Sequence, residues 1–266
     1  GRRVRIEGRT MTGGYSPGIA VDRISDLGPA PLPAPAVVSL AKIASGQWDG
    51  QYVEVRGVVR AASLHPTGQW TVDIASERHR VTVTVEHGSQ TDPADWVDGV
   101  VRLRGVAGVN ANRLGQLVSA ALRVWQMEDF ELYEPPHKDP FSAEAQPIQS
   151  IMKYSVEPIE GRRVKVSGTV LHQRRDGTLY LQDQSGGVMV GCRPPASLSA
   201  GDRVEVLGFP VWGDYSPHLE DASFRRLGSG SPPVPAEVTV EHLGKGQLDT
   251  RLVLLEATLL EHIRSP

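Results

Sequence analysis

The 266-residue chain has one cysteine, Cys192, so an internal disulfide and a zinc site built from paired cysteines are both excluded. We interpret Cys192 as a small, buried, apolar side chain. The sequence has no run of 18 apolar residues and no signal-peptide pattern at its start. We therefore expect neither a membrane span nor a targeting signal within it.

A surplus of positive charge is also missing. Lysine and arginine number 28 against 31 aspartates and glutamates, which gives a formal net charge of −3 at pH 7. A chain with this balance has no global positive field to attract a phosphate backbone. Net charge therefore predicts that nucleic acid is not a partner, and it leaves the ligand, the protein partner and the oligomeric state open.

The sequence patterns of common enzymes are absent as well. There is no G-x-S-x-G, no H-E-x-x-H, no Walker loop and no dinucleotide-binding glycine pattern. His218, Glu220 and Asp221 lie close together, but a strand there would send alternate side chains to opposite faces. We expect no catalytic residues, no metal and no cofactor. Converging acid and base groups in a cleft would revive the hypothesis of an enzyme.

Glycine and proline are plentiful, with 28 and 20 copies spread along the chain, and they separate many short segments. A hydrophobic content of 39% is typical of a folded chain. This length accommodates two or more domains, each with its own core. Together these features predict an all-β protein.

The stretch from Gly161 to Gly208 shows the pattern most clearly. Val164, Val166 and Val170 recur with the period of two that is typical of a strand with one buried face. Turn residues then separate three further apolar runs. We interpret the stretch as four of the five strands of a small closed barrel, and the spacing of the valines at 53, 55 and 59 predicts a second barrel.

An internal repeat joins the two ends of the chain. Residues 1–59 match residues 201–259 without a gap, with 18 identities. In both copies a proline-rich connector precedes a short helical segment, at 39–45 and at 239–245, for which Ser39 or Thr239 is the predicted cap. The chain is thus interpreted as a window on a longer tandem array.

The predicted organisation has two complete units and two partial ones. Its segments are the C-terminal part of a unit at 1–36, a barrel at 37–135, a linker at 136–149, a barrel at 150–235 and the N-terminal part of a further unit at 236–266. Neither partial unit contains its second and third strands, so we expect both to pack on their neighbours or to be poorly ordered.

Five strands of this length, with a helix between the third and the fourth and glycine in the first and the fourth, are what an OB-fold barrel requires. Three motifs carry a more specific resemblance: LYLQDQSGGVMV at 179–190, GDRVEVLGFPVWGDYSPHLEDASFRRLGSG at 201–230 and GQLDTRLVLLEATLL at 246–260. They resemble the tandem OB-like repeats in the N-terminal sensory region of certain bacterial sensor histidine kinases. The turn at 75–79 departs from the pattern, because it lacks the Gly-Gly of Gly186-Gly187.

The resemblance implies a periplasmic or extracellular location, ahead of a membrane segment and a cytoplasmic kinase. It implies no particular ligand. The leading hypothesis is therefore a non-catalytic sensory or interaction module of a two-component system, which signals by binding a ligand or partner. The alternative is an OB-fold binding module for single-stranded nucleic acid or an oligosaccharide.

An OB barrel binds ligands on the face of its second and third strands and in the loops beside it. In the second barrel these positions predict a ligand site of aromatic and polar side chains that suits a stacked base or sugar ring. Its candidate residues are Arg174, Arg175, Tyr180, Trp212, Asp214 and Tyr215. Tyr15 repeats Tyr215 in the same Tyr-Ser-Pro turn, which favours a structural role for Tyr215, whereas Trp212 has Thr12 as its counterpart and is the better candidate for ligand contact.

Three other features are interpreted as structural. Asp183 is a turn former rather than a general base or metal ligand, because a single carboxylate at a strand end usually caps a turn. Asn110 and Asn112 belong to a loop that tolerates left-handed backbone. Trp70 is half-buried packing on the second strand of the first barrel.

Overall fold

A computed structural model describes residues 1–13, 15–89, 91–152, 161–192, 197–213, 216–246, 248–258 and 260–261. The chain divides into two units, Gly1–Lys138 and Asp139–Pro266. Each unit contains one closed barrel and one flanking piece.

The first unit begins with a hairpin and continues into a barrel. Its elements are β1 (Arg2–Met11), β2 (Gly18–Pro29), β3 (Ala36–Val37), α1 (Leu40–Ala44), β4 (Tyr52–Leu64), β5 (Trp70–Ser76), β6 (His79–His87), β7 (Val100–Ala111), β8 (Leu117–Gln126) and β9 (Phe130–Glu134), with 3-10 helices at Pro93–Trp96 and Met127–Asp129.

Strands β4 to β8 close the first barrel in the order β4-β5-β6-β8-β7, because β7 also pairs with β4. The third and fifth strands of this barrel, β6 and β8, run parallel, and its other pairs are antiparallel. Gly105 lies at a close crossing of β7 and β8, where a Cβ atom would come within 2.4 Å of the carbonyl oxygen of Arg123. Glycine is therefore required at this point of the fourth strand.

Alternating valines, leucines and isoleucines fill the interior of the first barrel. The rings of Trp70, Trp96 and Phe130 pack edge to face at one end, with centroids 5.0 to 5.9 Å apart. Helix α1 inserts Leu40 and Ile43 into the same core. Ser39 occupies the predicted cap position, but its side chain forms no capping hydrogen bond.

The second unit repeats this design. Its elements are β10 (Val164–Gln173), β11 (Thr178–Gln182), β12 (Gly187–Cys192), β13 (Arg203–Val211), β14 (His218–Gly228), β15 (Ala236–Glu237), α2 (Val240–Leu243) and β16 (Val253–Leu254), with 3-10 helices at Pro140–Ser142 and Ile148–Met152. Strands β10 to β14 form a closed barrel in the order β10-β11-β12-β14-β13. Its third and fifth strands, β12 and β14, again run parallel.

Residues that precede the second barrel pack against it. Ile148 is buried in the barrel core, and the Nζ atom of Lys165 donates to the carbonyl oxygen of Phe141 (2.9 Å). The guanidinium group of Arg225 lies 4.2 Å from the centre of the Phe141 ring. The segment around Phe141 is thus held by this hydrogen bond, by the cation–π contact and by the ion pair between Arg225 and Asp139 (3.8 Å).

The strand order and the parallel pairing of the third and fifth strands define both barrels as OB-like. The predicted all-β class with OB-like five-stranded barrels and short helices is confirmed. No helix among the residues that the structure describes is long and apolar enough to cross a membrane.

Candidate ligand-binding face

Four side chains form a row across the outer face of the second barrel. Strand pairing places His172 opposite Tyr180, Tyr180 opposite Met189, and Met189 opposite His218. Directly opposed residues share a face of a sheet, and the neighbours of Tyr180 and Met189 along their strands are buried in the core, so the row points outward. The row crosses the second and third strands, where OB barrels bind their ligands.

Ring stacking organises one end of this row. The rings of His172 and Tyr180 lie with centroids 6.3 Å apart and an interplanar angle of 30°. At the other end, Nε2 of His218 lies 3.5 Å from Oε1 of Glu220. The row therefore combines flat rings, a thioether and a carboxylate, which suits contact with a flat ligand that has polar edges.

A β-bulge explains why His172 belongs to the row. The pairing of β10 with β11 shifts between Val170 and His172, which leaves Leu171 as the extra residue. Simple alternation from Val166 and Val170 would turn His172 into the core. The bulge reverses that direction, and sequence alternation alone therefore misses His172.

Arg174 and Arg175 lie in the tight loop between β10 and β11. The backbone N–H of Arg174 donates to the carbonyl oxygen of Thr178 (2.8 Å), and that of Gly177 donates to the carbonyl oxygen of Arg174 (3.1 Å). The Arg174 guanidinium lies 3.6 Å from the carboxylate of Asp176, and both side chains are exposed. This loop follows the His172 end of the row directly, so three of the predicted residues, Tyr180 among them, belong to one surface.

Trp212 follows the end of β13 and is 62% exposed. The next residue, Gly213, lies beside the His218 end of the row, since a Cβ atom there would come within 3.2 Å of Nδ1 of His218. Asp214 and Tyr215 lie outside the described residues, and their place in the site stays a prediction. In the first copy of the repeat, Tyr15 lies against Gly46, where a Cβ atom would meet its hydroxyl oxygen at 2.8 Å.

A strap formed by residues 250–252 covers the opposite end of the same face. The backbone N–H of Leu252 donates to Oε1 of Gln182 (2.9 Å), and the Arg251 guanidinium donates to the carbonyl oxygen of Ser185 (2.7 Å). A Cβ atom on Gly187 would lie only 2.0 Å from the carbonyl oxygen of Thr250. The strap therefore needs glycine at 187, and it limits the open face to the row and its adjoining loops.

Asp183 forms the turn between β11 and β12. Its Oδ1 atom accepts from the backbone N–H groups of Ser185 (2.7 Å) and Gly186 (2.8 Å), and its Oδ2 atom accepts from that of Ile148 (2.9 Å). Burial acts to raise the pKa of Asp183, but these hydrogen bonds outweigh it and hold the pKa below its ordinary value. The carboxylate is thus engaged in structure, as the sequence indicates.

The corresponding face of the first barrel is satisfied by its own side chains. Asp73 accepts from the Arg80 guanidinium (3.0 Å) and from the Thr82 hydroxyl (2.8 Å). The Asn112 side chain accepts from two backbone N–H groups of its loop, as expected of a turn former. Trp70 is fully buried rather than half-buried, and its indole N–H donates to the carbonyl oxygen of Ser89 (2.9 Å).

Other chemistry is scarce on the described part of the chain. Burial raises the pKa of the Cys192 thiol to about 11, as expected of a structural cysteine. No group of three or more histidine, cysteine, aspartate or glutamate side chains that could hold a metal ion occurs among the described residues.

Comparison with known proteins identifies no family. No family model matches the sequence, and no curated protein matches it. Solved structures that are similar in part include asparaginyl-tRNA synthetase from Pyrococcus horikoshii, which is 18% identical, with 40% of this chain and 26% of that chain covered and a TM-score of 0.30. Aspartyl tRNA synthetase from Entamoeba histolytica is 8% identical, with 67% of this chain and 51% of that chain covered and a TM-score of 0.31. A murine DNA binding protein bound with ds DNA is 13% identical, with 66% of this chain and 99% of that chain covered and a TM-score of 0.28.

This chain spans about half or less of the length of the two synthetases. All three identities are below 25% and all three TM-scores are below 0.5. What those proteins bind is therefore a property of those proteins.

The expectation that nucleic acid is not a partner is wrong. Among the proteins with similar barrels are one described as DNA-binding and two aminoacyl-tRNA synthetases, and these conflict with it. The expectation rested on net charge summed over the whole chain, whereas an OB barrel binds through one face and its loops. The loop with Arg174 and Arg175 carries two positive charges against the one negative charge of Asp176, and it follows the His172 end of the row whatever the total charge is.

Proposed function

We propose that this chain is a non-catalytic binding module, and that its ligand is a single-stranded nucleic acid bound across the row His172, Tyr180, Met189 and His218. The row itself is the observation that carries the proposal. Bases stack on aromatic and imidazole rings, and phosphates pair with guanidinium groups. Rings that could stack on bases and guanidinium groups that could pair with phosphates lie together at the β10–β11 end of this face.

The contrast between the two barrels supports this choice of site. On the first barrel the equivalent face carries Asp73, which accepts hydrogen bonds from both Arg80 and Thr82. On the second barrel the rings of Tyr180 and His172 are stacked, with His172 exposed and Tyr180 partly exposed, and Trp212 is largely exposed. Apolar ring surface that stays in contact with water is a feature of binding sites rather than of cores.

The direct test is a binding titration with labelled single-stranded DNA and RNA oligonucleotides at about 50 and 200 mM salt. We expect binding that weakens as salt rises, with a slope of about −0.7 for each phosphate contact. Tyr180→Ala should cost about 1–3 kcal/mol of binding free energy, as loss of one stacked base does. Arg174→Ala should reduce the salt dependence.

The matched control is Trp125→Ala, because Trp125 is as exposed as Trp212 (63%) and contacts His87 edge to face, but it lies on the fifth strand of the first barrel rather than on a second or third strand. It should bind like the unaltered protein, whereas Trp212→Ala should bind more weakly. An absence of oligonucleotide binding at low salt would overturn the nucleic-acid proposal. Salt-independent binding of a neutral oligosaccharide that is lost in Tyr180→Ala would show instead that the face takes sugars.

We also propose that this module belongs to an extracytoplasmic sensory region, in keeping with the motifs at 179–190, 201–230 and 246–260. Signalling would then follow from ligand occupancy of the barrel face. The proposal predicts that the gene encodes a membrane segment and a kinase module on the same chain. The location can be tested by fusing the native gene product to a reporter that is active only outside the cytoplasm. An inactive reporter would contradict the proposal.

A further inference from the structure

The β1–β2 hairpin has an apolar face that nothing covers in the part of the chain that the structure describes. Strand pairing puts five apolar side chains on this face, and each is between 46% and 63% exposed. They are Val4, Ile6, Ile19, Val21 and Ile24. The opposite face carries charged side chains, which include Arg5, Glu7, Arg9 and Arg23. Such a face on a two-stranded sheet needs a partner to be stable in water.

The hairpin has the same register as the fourth and fifth strands of the closed second barrel. Val4 pairs with Asp26 and Ile6 with Ile24, as Val204 pairs with Arg226 and Val206 with Phe224. The register shift in the middle of the hairpin falls at the same place in both. In the closed barrel Val204 and Val206 are fully buried, and the first strand pairs with the outer edge of the fourth.

The C-terminal segment resembles the first strand of a barrel and the helix that precedes that strand. Ala236 pairs with Val253 in the register in which Ala36 pairs with Val53. In the first barrel, Val53 lies in β4, which pairs with the fourth strand, while α1 packs mainly against the third strand, β6, and also against the fifth strand, β8, and β4. In the C-terminal segment, Val240 and Leu243 of α2 and Leu254 and Leu255 at β16 are exposed instead.

We propose that the β1–β2 hairpin binds the C-terminal segment, residues 236–258, of a second copy of this chain. The register shared by both barrels places Val253 opposite Gly8, Leu255 opposite Ile6 and Glu256 opposite Arg5. Leu255 then lies on the apolar side, and Glu256 meets Arg5 on the outer side. Helix α2 covers the part of β2 that corresponds to β8, one of the three strands that α1 contacts in the first barrel.

Charge favours this occupant over an arbitrary apolar strand. Residues 1–29 contain five arginines against three acidic residues, and residues 236–258 contain four acidic residues against one lysine and one arginine. The two surfaces therefore attract each other. The complex has three strands and a helix around one apolar face, which is about the smallest arrangement that is stable in water.

A contact of this kind joins different surfaces of two identical chains. The hairpin of each copy stays available when its C-terminal segment is bound, so association is head to tail and extends beyond dimers. Light scattering should show a mean mass that rises with protein concentration and falls with salt.

Cross-linking tests the register. Two single variants, Arg5→Cys and Glu256→Cys, are prepared in a Cys192→Ala background and mixed under mild oxidation. Both positions are exposed, so the replacements leave the cores intact. We expect a disulfide between the two variants, because opposed residues of paired strands lie within bonding range. Arg9→Cys with Glu256→Cys is the control, since four residues shift the site by about 13 Å.

Two results would overturn the proposal. One is an unchanged monomer mass up to millimolar concentration together with no mixed disulfide. The other is equal cross-linking of Glu256→Cys to Arg5→Cys and to Arg9→Cys, which would indicate random collision. A charge exchange adds a further check: Arg5→Glu and Glu256→Arg should each weaken association roughly threefold to tenfold, and the double variant should restore it.

Discussion

Asp183 shows how one residue can hold two elements together. Its two oxygens accept from the β11–β12 turn and from the 3-10 helix that places Ile148 in the core. Three of these donors are backbone N–H groups, which have few alternatives when they are buried, and the Ser185 hydroxyl also donates to Oδ1 (2.6 Å). The charge of the carboxylate therefore serves the fold of the second barrel.

Asp183→Asn should destabilise the second unit at pH 7 by about 1.5–3 kcal/mol, the usual value for hydrogen bonds to a charged group. The pKa of Asp183 is depressed in the folded state, so its contribution is present above the unfolded pKa of about 3.9 and is lost as pH falls through the folded value. Urea unfolding from pH 7 to pH 3 should show the two proteins converging at acid pH. The control is Gln184→Ala, at the exposed neighbour of Asp183, which should change neither the stability at pH 7 nor its dependence on pH.

Cys192 gives a pH dependence of the opposite sign. The folded state keeps the thiol neutral up to about pH 11, whereas the unfolded chain loses the proton near pH 8.5. The free energy of unfolding should therefore fall as pH rises between these values. Cys192→Ala should remove this part of the slope in urea unfolding from pH 8 to pH 10.5. Identical slopes for both proteins would show that the thiol is not held neutral.

At the level of strands and turns, the sequence predicts the framework well and the details of the site only in part. The valine spacing at 53, 55 and 59 and at 164, 166 and 170 finds both first strands, because alternation follows directly from burial of one face. His172 escapes this reasoning, since the bulge at Leu171 depends on barrel closure rather than on a local preference.

Contacts between distant residues are the other part that alternation does not reveal. The strap places Thr250 over Gly187, and no pattern within either segment indicates that they meet. The two glycines at 186 and 187 are predicted only as a turn, although the second is also required by the strap. Of the predicted ligand residues, Arg174, Arg175 and Tyr180 lie on one surface. Trp212 is exposed, and the residue that follows it lies beside His218. Asp214 and Tyr215 stay predictions.

Gly187→Ala should displace the strap and leave the barrel intact, because its Cβ atom would lie 2.0 Å from the carbonyl oxygen of Thr250. Hydrogen exchange at the Leu252 amide should accelerate roughly tenfold, which corresponds to loss of about one hydrogen bond. Gly186→Ala is the matched control, since its Cβ atom would meet Ile148 at an ordinary 3.6 Å. Equal protection of Leu252 in both variants would show that the strap does not depend on Gly187.

On the scale of the whole chain, the main feature is that each unit has its own closed barrel and its own apolar core. Tryptophan distribution makes the two units distinguishable in solution. Trp48, Trp70, Trp96 and Trp125 lie in the first unit, and Trp212 is the single tryptophan after residue 138. A change in one core can therefore be followed separately from a change in the other.

Leu122→Ala in the first core and Leu181→Ala in the second should each cost about 2–5 kcal/mol of stability, because both side chains are almost fully buried. We expect calorimetry of the unaltered chain to contain two transitions, and each variant to lower the midpoint of only one. The fluorescence change of the four tryptophans in the first unit should follow the transition that Leu122→Ala lowers. If both substitutions lower one common transition equally, the two barrels unfold as a single cooperative block, and separate cores do not mean separate folding units in this protein.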